Sequence, residues 1–401
     1  MGRMLLGCRQ ALLPPALSPR ELSERIVQAA KAVGFARVGF AAAHPLEDAR
    51  GRLEAFLAAG YEGAMDYLSE GPRHDPKALL PEAKSVIVVA LAYGNTPSPT
   101  SPSTTLAGRL ARYAQGDDYH LVLKDKLAAL EAVLPEIVGR PVRSRSCVDT
   151  APLLERELAA RAGIGFHGKS TLVIAPGLGS YVLLGELLVD FELEPTAAAS
   201  LPQSCGSCRA CLDACPTQAF VAPHVLDARR CVSYLTIEQT GAIPAELRPG
   251  LGDRVFGCDA CQEVCPYNHG TSAREAPNHL APRPDRAELD LVALLELGSA
   301  GYRKLARRTA LRRVNRTTLQ RNAAIALGNS HRPEAVGPLV RALETNPSAL
   351  VRLHAAWALG ELAAHLDSAA RSALRRTAES DGDPEVRDEA RTAAARALDS
   401  P

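Results

Sequence analysis

The chain has no run of about 18 consecutive apolar residues, so no part of it is predicted to span a membrane as a helix. It also lacks a strong net charge, because its formal net charge at pH 7 is +1. Binding to nucleic acid would therefore have to come from local clusters of charge. A secretory leader is not expected, since the apolar stretch before Cys8 is short and follows a single basic residue, Arg3. These absences predict a cytoplasmic protein.

Cysteine, in contrast, is abundant: the chain has 10 cysteines, most of them in two closely spaced strings. The first string reads Cys205-x2-Cys208-x2-Cys211-x3-Cys215-Pro216. In bacterial ferredoxins three thiolates of such a run bind one [4Fe–4S] cluster, and the fourth, before proline, binds a second. The second string reads Cys258-x2-Cys261-x3-Cys265-Pro266. It lacks a third close cysteine, and Cys231 is expected to take that place.

Together these cysteines supply eight thiolates, the number that two [4Fe–4S] clusters require. We assign Cys205, Cys208, Cys211 and Cys265 to one cluster, and Cys215, Cys231, Cys258 and Cys261 to the other. Zinc is the alternative, because paired Cys-x2-Cys units also bind tetrahedral zinc. Zinc gives no reason for the x2-x2-x3-Pro spacing, so iron–sulfur clusters are preferred. Thiols kept free for metal indicate a reducing compartment.

The residues before the cysteine strings predict a mixed α/β domain. Helices are expected at 20–32, 46–59, 118–134 and 151–162, where apolar residues recur at helical spacing. The β-branched run 84–93 predicts a buried strand, and the TPSPTSPS stretch at 96–103 predicts a linker-like loop. Residues 170–190 have the pattern strand, loop, strand, which favours a hairpin.

The C-terminal third is helical in pattern and repeats itself. The string Asn322-Ala-Ala-Ile-Ala-Leu-Gly328 is echoed by His354-Ala-Ala-Trp-Ala-Leu-Gly360, a period of 32 residues. Such repeats resemble HEAT repeats, although Ala-rich helices can also form an ordinary bundle core. The expected fold class is therefore α+β and multidomain. We expect an α/β domain over 1–195, a ferredoxin-like two-cluster module over 196–275, and a basic segment with helical repeats over 276–401.

Between residues 303 and 321 the chain has eight basic residues and no acidic residue. They are Arg303, Lys304, Arg307, Arg308, Arg312, Arg313, Arg316 and Arg321, and we call them the basic run. At intervals of four residues the run contains Lys304, Arg308, Arg312 and Arg316. These four side chains would share one face of a continuous helix. Solvated faces usually mix charges of both signs, so the basic run predicts a surface that binds nucleic-acid phosphates.

With these features in this order, the sequence resembles the epoxyqueuosine reductase family. In the first half the resemblance is carried by the strings RYAQGDDYH (112–120), VDTAPLLER (148–156) and GFHGKSTL (165–172), and by Gly185-Glu186. The cysteine spacing is shared with many ferredoxin-like modules, but VDTAPLLER beside it makes the resemblance specific. It covers the chain from residue 20 to the end.

The resemblance implies an enzyme that removes the epoxide oxygen of epoxyqueuosine at the wobble position of tRNA and leaves an alkene. It also implies cobalamin, bound by the α/β domain and reduced through the two clusters. The reaction consumes two electrons and two protons and releases water, so a proton donor is required. Asp149 matches the family's proton donor, a role that requires a raised carboxyl pKa. Alternatively, Asp149 is the N-cap of the helix that follows.

The resemblance also suggests which residues contact the corrin ring. These are Arg73, Asp149, Ser233, Thr240 and Asp259. Ser233, Thr240 and Asp259 flank Cys231 and Cys258, which would put the cofactor beside the second cluster. The implied partners are the anticodon region of tRNA, contacted by the basic run, and an external low-potential electron donor such as flavodoxin or ferredoxin. A monomer is expected.

Two other functions stay open. An enzyme like the reductive dehalogenases would use the same cofactors on a small molecule, but such a substrate needs neither the basic run nor the repeats. A non-enzymatic iron–sulfur electron carrier, whose repeats dock a protein partner, would leave the first 195 residues without a role. The ratio of cobalt to iron in purified protein separates the carrier from both enzymes.

Overall fold

The structure is a computed structural model that describes residues 17–93, 106–196, 204–269, 280–283, 285–286 and 288–399. Cys8 and the predicted loop at 96–103 lie outside the described residues. Within those ranges, no helix is long and apolar enough to cross a membrane.

The first half of the chain contains a main sheet with helices on both faces. The strands of this half, inside and outside that sheet, are β1 (Arg37–Ala42), β2 (Ser85–Ala92), β3 (Ala107–Leu110), β4 (Ser144–Cys147), β5 (Phe166–His167), β6 (Val173–Ile174) and β7 (Val182–Val189). Its helices are α1 (Pro19–Val33), α2 (Glu47–Ala58), α3 (Tyr119–Val138) and α4 (Glu155–Arg161). The main sheet has the order β1-β2-β7-β4, and every neighbouring pair is antiparallel. The mixed α/β prediction is confirmed here.

The two faces of this sheet pack against different helices, because side chains alternate along each strand. Ile87, Val89 and Leu91 of β2 pack in the core that contains α1 and α3. Val86 and Val88 pack in the core that contains α2 and α4. All of β2 is buried, which confirms the strand predicted from the continuous apolar run.

Two local predictions in this half are wrong. Helix α4 begins at Glu155, and its N-cap residue is Leu154, so Asp149 is not a helix cap. The hairpin predicted at 170–190 does not form, because β6 pairs with β5 while β7 pairs with β2 and β4. The reason is length: β2 and β7 pair along eight residues each, which satisfies far more backbone groups than the two-residue β6 could.

The second half consists of short elements around the cysteines and then longer helices. The first group is α5 (Ala210–Asp213), β8 (Phe220–Ala222), β9 (Val225–Leu226), α6 (Val232–Ile237), α7 (Arg248–Leu251), β10 (Arg254–Phe256) and α8 (Ala260–Glu263). The second group is β11 (Glu288–Asp290), α9 (Leu291–Leu295), α10 (Ser299–Ala306), α11 (Arg316–Asn329), α12 (Val336–Thr345), α13 (Ala349–Glu361), α14 (Ser368–Ser380) and α15 (Pro384–Asp399). Strands β10, β3 and β11 form one small sheet, which joins the three predicted segments.

The glycines that echo each other in the sequence are contacts between successive helical repeats. Gly328 of α11 lies against Ala358 of α13, and Gly360 of α13 lies against Ala393 of α15. A Cβ atom on Gly328 would come within 2.8 Å of the Ala358 Cα, too close for any real contact. Glycine is therefore required for these helices to approach as they do, each repeat resting on its neighbour.

Arg321 does not have the role that the basic run predicted for it. Its side chain is completely buried, and its guanidinium donates to the backbone carbonyl oxygens of Leu235, Gln239 and Gly241. Burial lowers its pKa to about 10. Arg321 therefore cannot contact tRNA. It instead fastens the helical repeats to the segment that follows Cys231.

We expect Arg321→Met to destabilise the protein by about 3 kcal/mol or more, because several buried carbonyl groups would lose their donors. Thermal unfolding of the cluster-loaded protein measures this effect. Arg312→Met is the matched control, since Arg312 is exposed in the same run. Equal melting temperatures for the two variants would contradict the structural role of Arg321.

Candidate active site and cluster module

The eight predicted ligand thiols lie in two neighbourhoods. In the first, the pKa of the Cys265 thiol is raised by burial and then by the charges of Cys205 and Cys208. Cys211 lies near Cys205, Cys208 and Cys265 itself. In the second, Cys231 lies near Cys215 and Cys258, and Cys261 lies near Cys231 and Cys258. These neighbours agree with the proposed ligand sets, although Cys261 also lies near enough to Cys211 of the first set to be affected by its charge.

Backbone N–H groups point at two of these sulfur atoms. Lys169 N donates to Cys205 Sγ at 3.4 Å, and Ala219 N donates to Cys215 Sγ at 3.2 Å. Hydrogen bonds to cluster sulfurs are one of the means by which a protein sets the reduction potential. In the part of the chain that the structure describes, no three His, Cys, Asp or Glu side chains converge on a single metal ion. The ligands of a four-iron cluster need not do so, since each binds a different iron.

Asp149 lies in the loop between β4 and α4, with its backbone in the left-handed region. Its φ is +49°, a conformation that costs a non-glycine residue about 1–3 kcal/mol and is maintained by surrounding contacts. Its backbone N–H donates to Glu155 Oε1 at 2.5 Å. Its Oδ2 accepts from Tyr119 Oη at 2.8 Å and lies 2.9 Å from His120 Nε2. The side chain is nevertheless 53% exposed, so a substrate can reach it.

The charges at this site do not match the raised pKa expected for Asp149. Burial opposes ionisation of Asp149, but the hydrogen bonds from His120 and Tyr119 lower its pKa. Burial would lower the pKa of His120, yet its hydrogen bonds to Asp118 and Asp149 raise that pKa to about 9. At neutral pH the proton therefore lies on His120, and Asp149 is ionised.

The predicted corrin contacts are not equally available. Arg73 lies beside Tyr67, its backbone oxygen accepts from Leu154 N, and its buried Nε has no hydrogen-bond partner among the described residues. Ser233 lies half-buried on α6, and Thr240 is exposed just after that helix. The carboxylate of Asp259 is buried.

The oxygens of the buried Asp259 carboxylate already accept from the backbone N–H of Arg112 and from the Gln262 amide. The Asp259 carboxylate thus already has two donors, and its contact with a corrin ring stays a prediction. The buried Arg73 Nε, in contrast, is a donor that still lacks an acceptor.

A short path connects the second cluster to Asp149. Helix α6 begins directly after Cys231, and Glu238 follows its last residue, about 10 Å along the helix. Arg313 donates to both carboxylate oxygens of Glu238, at 3.0 and 3.1 Å. The positive charge of Arg313 also helps to lower the pKa of Asp149. A predicted cluster ligand and the predicted proton donor thus border the same site.

The basic run is not one helix. It covers α10, a 3₁₀ turn at Ala310–Arg313 and the start of α11, where the Asn315 side chain caps a new helix. Lys304, Arg308, Arg312 and Arg316 therefore do not share a helical face, and that prediction is wrong. The run is still largely exposed: the exposed members are Arg303, Lys304, Arg307, Arg308, Arg312 and Arg313. Arg312 is close enough to Asp118 to help lower its pKa, so the run borders the Asp149 site.

Comparison with known proteins identifies the family. The family model described as 4Fe-4S double cluster binding domain matches residues 204–268, that described as Epoxyqueuosine reductase QueG, DUF1730 matches 73–150, and that described as HEAT repeats matches 306–395. The epoxyqueuosine reductase of Pseudomonas aeruginosa is 42% identical over 358 residues, which cover 87% of this chain and 96% of that protein. The chain belongs to the epoxyqueuosine reductase family.

Solved structures of epoxyqueuosine reductases agree with this. A crystal structure with an epoxyqueuosine-modified tRNA-Tyr stem loop is 34% identical, with a TM-score of 0.86, and covers 95% of this chain and 100% of that one. A structure of the Bacillus subtilis enzyme, solved with its catalytic Asp loop swung out of the active site, is 33% identical, with a TM-score of 0.84. It covers 94% of this chain and 100% of that one.

Membership of the epoxyqueuosine reductase family decides several predictions. Residues 204–268 are a module for two [4Fe–4S] clusters, so the zinc alternative is wrong. The HEAT interpretation of the repeats is confirmed. The carrier and dehalogenase alternatives find no support, because the relatives that match almost the whole chain are epoxyqueuosine reductases. The division of the eight cysteines between the clusters stays a prediction.

Sequence reasoning assigned no role to four residues around Asp149: Tyr119, His120, Glu155 and Glu186. Signals for some of them were present. Asp118-x-His120 is a carboxylate–histidine pair at close spacing, and Glu186 is an acidic residue within the apolar strand VLLGELLV. Tyr119 and His120 lie about 30 residues before Asp149, so only the fold could reveal their contacts with it. Glu155 is six residues after Asp149, but its bond to the Asp149 N–H depends on the loop conformation.

Proposed function

We propose that this chain reduces epoxyqueuosine to queuosine at the wobble position of tRNA. The observation that carries the proposal is the accessible Asp149, fixed by Tyr119 and His120 and adjacent to the cluster module, in a member of this family. Both carbon–oxygen bonds of the epoxide break, a carbon–carbon double bond forms, and two electrons and two protons release the oxygen as water. The relative solved with a modified tRNA stem loop supports the same substrate here.

We propose that Asp149 delivers a proton to the leaving oxygen and that His120 resupplies it. His120 Nε2 holds the proton at neutral pH, 2.9 Å from Asp149 Oδ2. Developing negative charge on the epoxide oxygen raises its proton affinity, so transfer through Asp149 becomes favourable as the bond breaks. The Bacillus subtilis relative was solved with its catalytic Asp loop swung out of the active site, and the loop around Asp149 is proposed to move in the same way.

Cobalamin is the proposed redox group at this site. The fit is supported by the buried Arg73 Nε, which lacks an acceptor among the described residues and suits an amide oxygen of a corrin side chain. Half-buried Ser233 and exposed Thr240 are the other proposed contacts. When bound, cobalamin would supply a strongly reducing cobalt centre. The chain itself contributes Cys231 at the start of α6, the helix that leads to Glu238 and, through Arg313, to the Asp149 site. An external low-potential donor such as flavodoxin or ferredoxin would supply the electrons, in the cytoplasm and to a monomer.

The test is turnover on tRNA that carries epoxyqueuosine. The protein, loaded with both clusters and cobalamin and supplied with a low-potential reductant, should convert the epoxide to the alkene. Nucleoside mass spectrometry detects this as the loss of one oxygen atom. Absence of conversion by fully loaded protein would refute the proposed function, and conversion of a free halogenated small molecule would revive the dehalogenase alternative.

The exposed part of the basic run is proposed to bind tRNA phosphates. We expect Arg307→Glu combined with Arg312→Glu to raise the KM for tRNA at least tenfold, roughly the loss from two phosphate contacts, and to flatten the slope of log affinity against log salt by about 0.7–0.9 per contact. Base identity should matter little on this surface.

The matched control for that double variant is Arg375→Glu, an exposed arginine on α14 within the repeats. Cluster absorbance should be the same in the wild type and both variants. An unchanged salt dependence and KM in the double variant would make the run a solvated surface only.

A further inference from the structure

Glu186 is a carboxyl group buried in the core behind the Asp149 loop. Its side chain has no exposed surface, and in register it lies beside Val88 of β2 and Cys147 of β4. Its neighbours two residues away, Leu184 and Leu188, pack in the core that α4 covers. No N–H or hydroxyl group of the described residues donates to either of its oxygens. An ionised carboxylate without donors is costly in such a place, so Glu186 must hold or share a proton.

The group within hydrogen-bonding reach of Glu186 is another carboxyl, that of Glu155 at the start of α4. Two carboxyl groups in contact attract each other only when a proton lies between them. Burial, and then the charge of Asp149, raises the pKa of Glu155, and burial together with Glu155 raises the pKa of Glu186. The pair therefore retains one proton where isolated carboxyls would have lost theirs.

The other titratable groups around this pair do not take over the role of that proton, which is to hold the two carboxyl groups together. Arg156 follows Glu155 on α4, and its charge favours the ionised form of Glu155. Cys147 faces the pair from β4 and remains a neutral thiol, because burial raises its pKa to about 12. Tyr119 approaches from α3, and its pKa is raised by burial and by Asp149, so it too remains neutral. Asp149 is thus the nearest fixed negative charge.

Glu155 makes a second contact, with the catalytic loop. Its Oε1 accepts the backbone N–H of Asp149 at 2.5 Å. That bond holds a residue whose φ of +49° is unfavourable without support. A single carboxyl therefore touches both the shared proton and the backbone of the catalytic aspartate.

We infer that Glu155 and Glu186 are positioning residues that hold the Asp149 loop in place through one shared proton. Glu186 donates that proton to Glu155, which also accepts the Asp149 N–H. Loss of the proton leaves two adjacent carboxylates beside a third at Asp149, and their repulsion releases Glu155 and the loop. The catalytic consequence rests on the proposed function, whereas the contact with the loop does not.

Hydrogen exchange at the Asp149 amide tests this without relying on activity. In cluster-loaded wild type the amide should be protected at low pH, and its protection factor should fall as pH rises. In Glu155→Ala it should exchange about tenfold faster throughout, because its acceptor is missing. In Glu186→Gln, whose amide still donates to Glu155 but cannot titrate, the protection factor should not change with pH.

Kinetics on modified tRNA give the second readout. Glu155→Ala should lower kcat by about 100-fold, the cost of a misplaced catalytic group, and leave the KM for tRNA unchanged. Glu186→Gln should retain activity and lose the part of the pH profile that follows the amide protection. Glu157→Gln is the matched control on the same helix, where Glu157 pairs with Arg52 away from the loop.

Two results would overturn the inference. One is an Asp149 amide that stays protected in Glu155→Ala. The other is a Glu186→Gln variant with a lower melting temperature whose amide protection and pH profile match the wild type, since the pair would then be structural only. If wild type shows the predicted exchange pattern but no turnover, the positioning role stands and the proposed function fails.

Discussion

Asp149→Asn is expected to lower kcat for epoxyqueuosine in tRNA by a factor of about 10²–10⁴, the usual contribution of a general acid. Asn keeps the size of the side chain and can still accept from Tyr119 and His120, but it carries no acidic proton. The Kd for tRNA and the signals of both clusters should therefore match the wild type. Single-turnover assays with nucleoside mass spectrometry measure the chemical step directly. A fully active Asn variant would reduce Asp149 to a residue that shapes the loop.

The pH dependence of the same assay identifies the source of the proton. The pKa of His120 is raised to about 9 by its bonds to Asp118 and Asp149, so it is protonated below that pH and loses its proton as pH rises through it. Wild-type kcat should fall over that range. The favourable interaction of His120 with the two carboxylates should also be complete below its unfolded pKa of about 6.5 and be lost as pH rises towards 9. In His120→Gln this alkaline decrease should disappear.

The elements that could be predicted from the sequence are those that local patterns determine. Strand β2 is a continuous β-branched run buried on both faces, and the echoed glycines of α11 and α13 mark a repeat contact. The cysteine spacing likewise predicts the iron–sulfur clusters, because x2-x2-x3-Pro is the ligand spacing of bacterial ferredoxins. In each case the pattern is complete within short stretches of the chain.

The elements that could not be predicted depend on contacts between distant residues. Arg321 has the same charge as Arg312, and only the fold places one in the core and the other at the surface. The pKa of Asp149 was expected to rise with burial, yet hydrogen bonds from Tyr119 and His120, about 30 residues earlier in the chain, lower it. Helical spacing in the basic run failed because α10 ends at Ala306, before Arg308, and Asn315 caps a new helix ahead of Arg316.

The sheet of β3, β10 and β11 joins the three predicted segments across their boundaries. Each strand belongs to a different predicted segment, and Asn322 of α11 adds hydrogen bonds to the carbonyl oxygens of Thr236 and Val255. The helical repeats are therefore bonded directly to the backbone on either side of the second cluster. Movement of the proposed tRNA-binding surface relative to the cluster module would have to break these buried bonds, which favours a rigid relation between the two.

Cys231→Ala should abolish turnover while it leaves one cluster intact. Cys231 immediately precedes α6, the helix that leads to Glu238 and the Asp149 site, and its thiol neighbours are Cys215 and Cys258. Removal of this ligand should lower the iron content from about eight to about four per chain and remove one of two low-temperature electron paramagnetic resonance signals.

The control for this variant is Cys147→Ala, which removes a buried thiol that belongs to neither predicted ligand set and should leave the iron content unchanged. A Cys231→Ala protein with both signals intact would mean that another residue completes the second cluster. Loss of both signals would mean that the clusters are not ligated as separate sets. Loss of one signal together with turnover would mean that electrons bypass the second cluster. The expected combination, one signal kept and activity lost, follows only if the cluster nearer to Asp149 is the one that Cys231 completes.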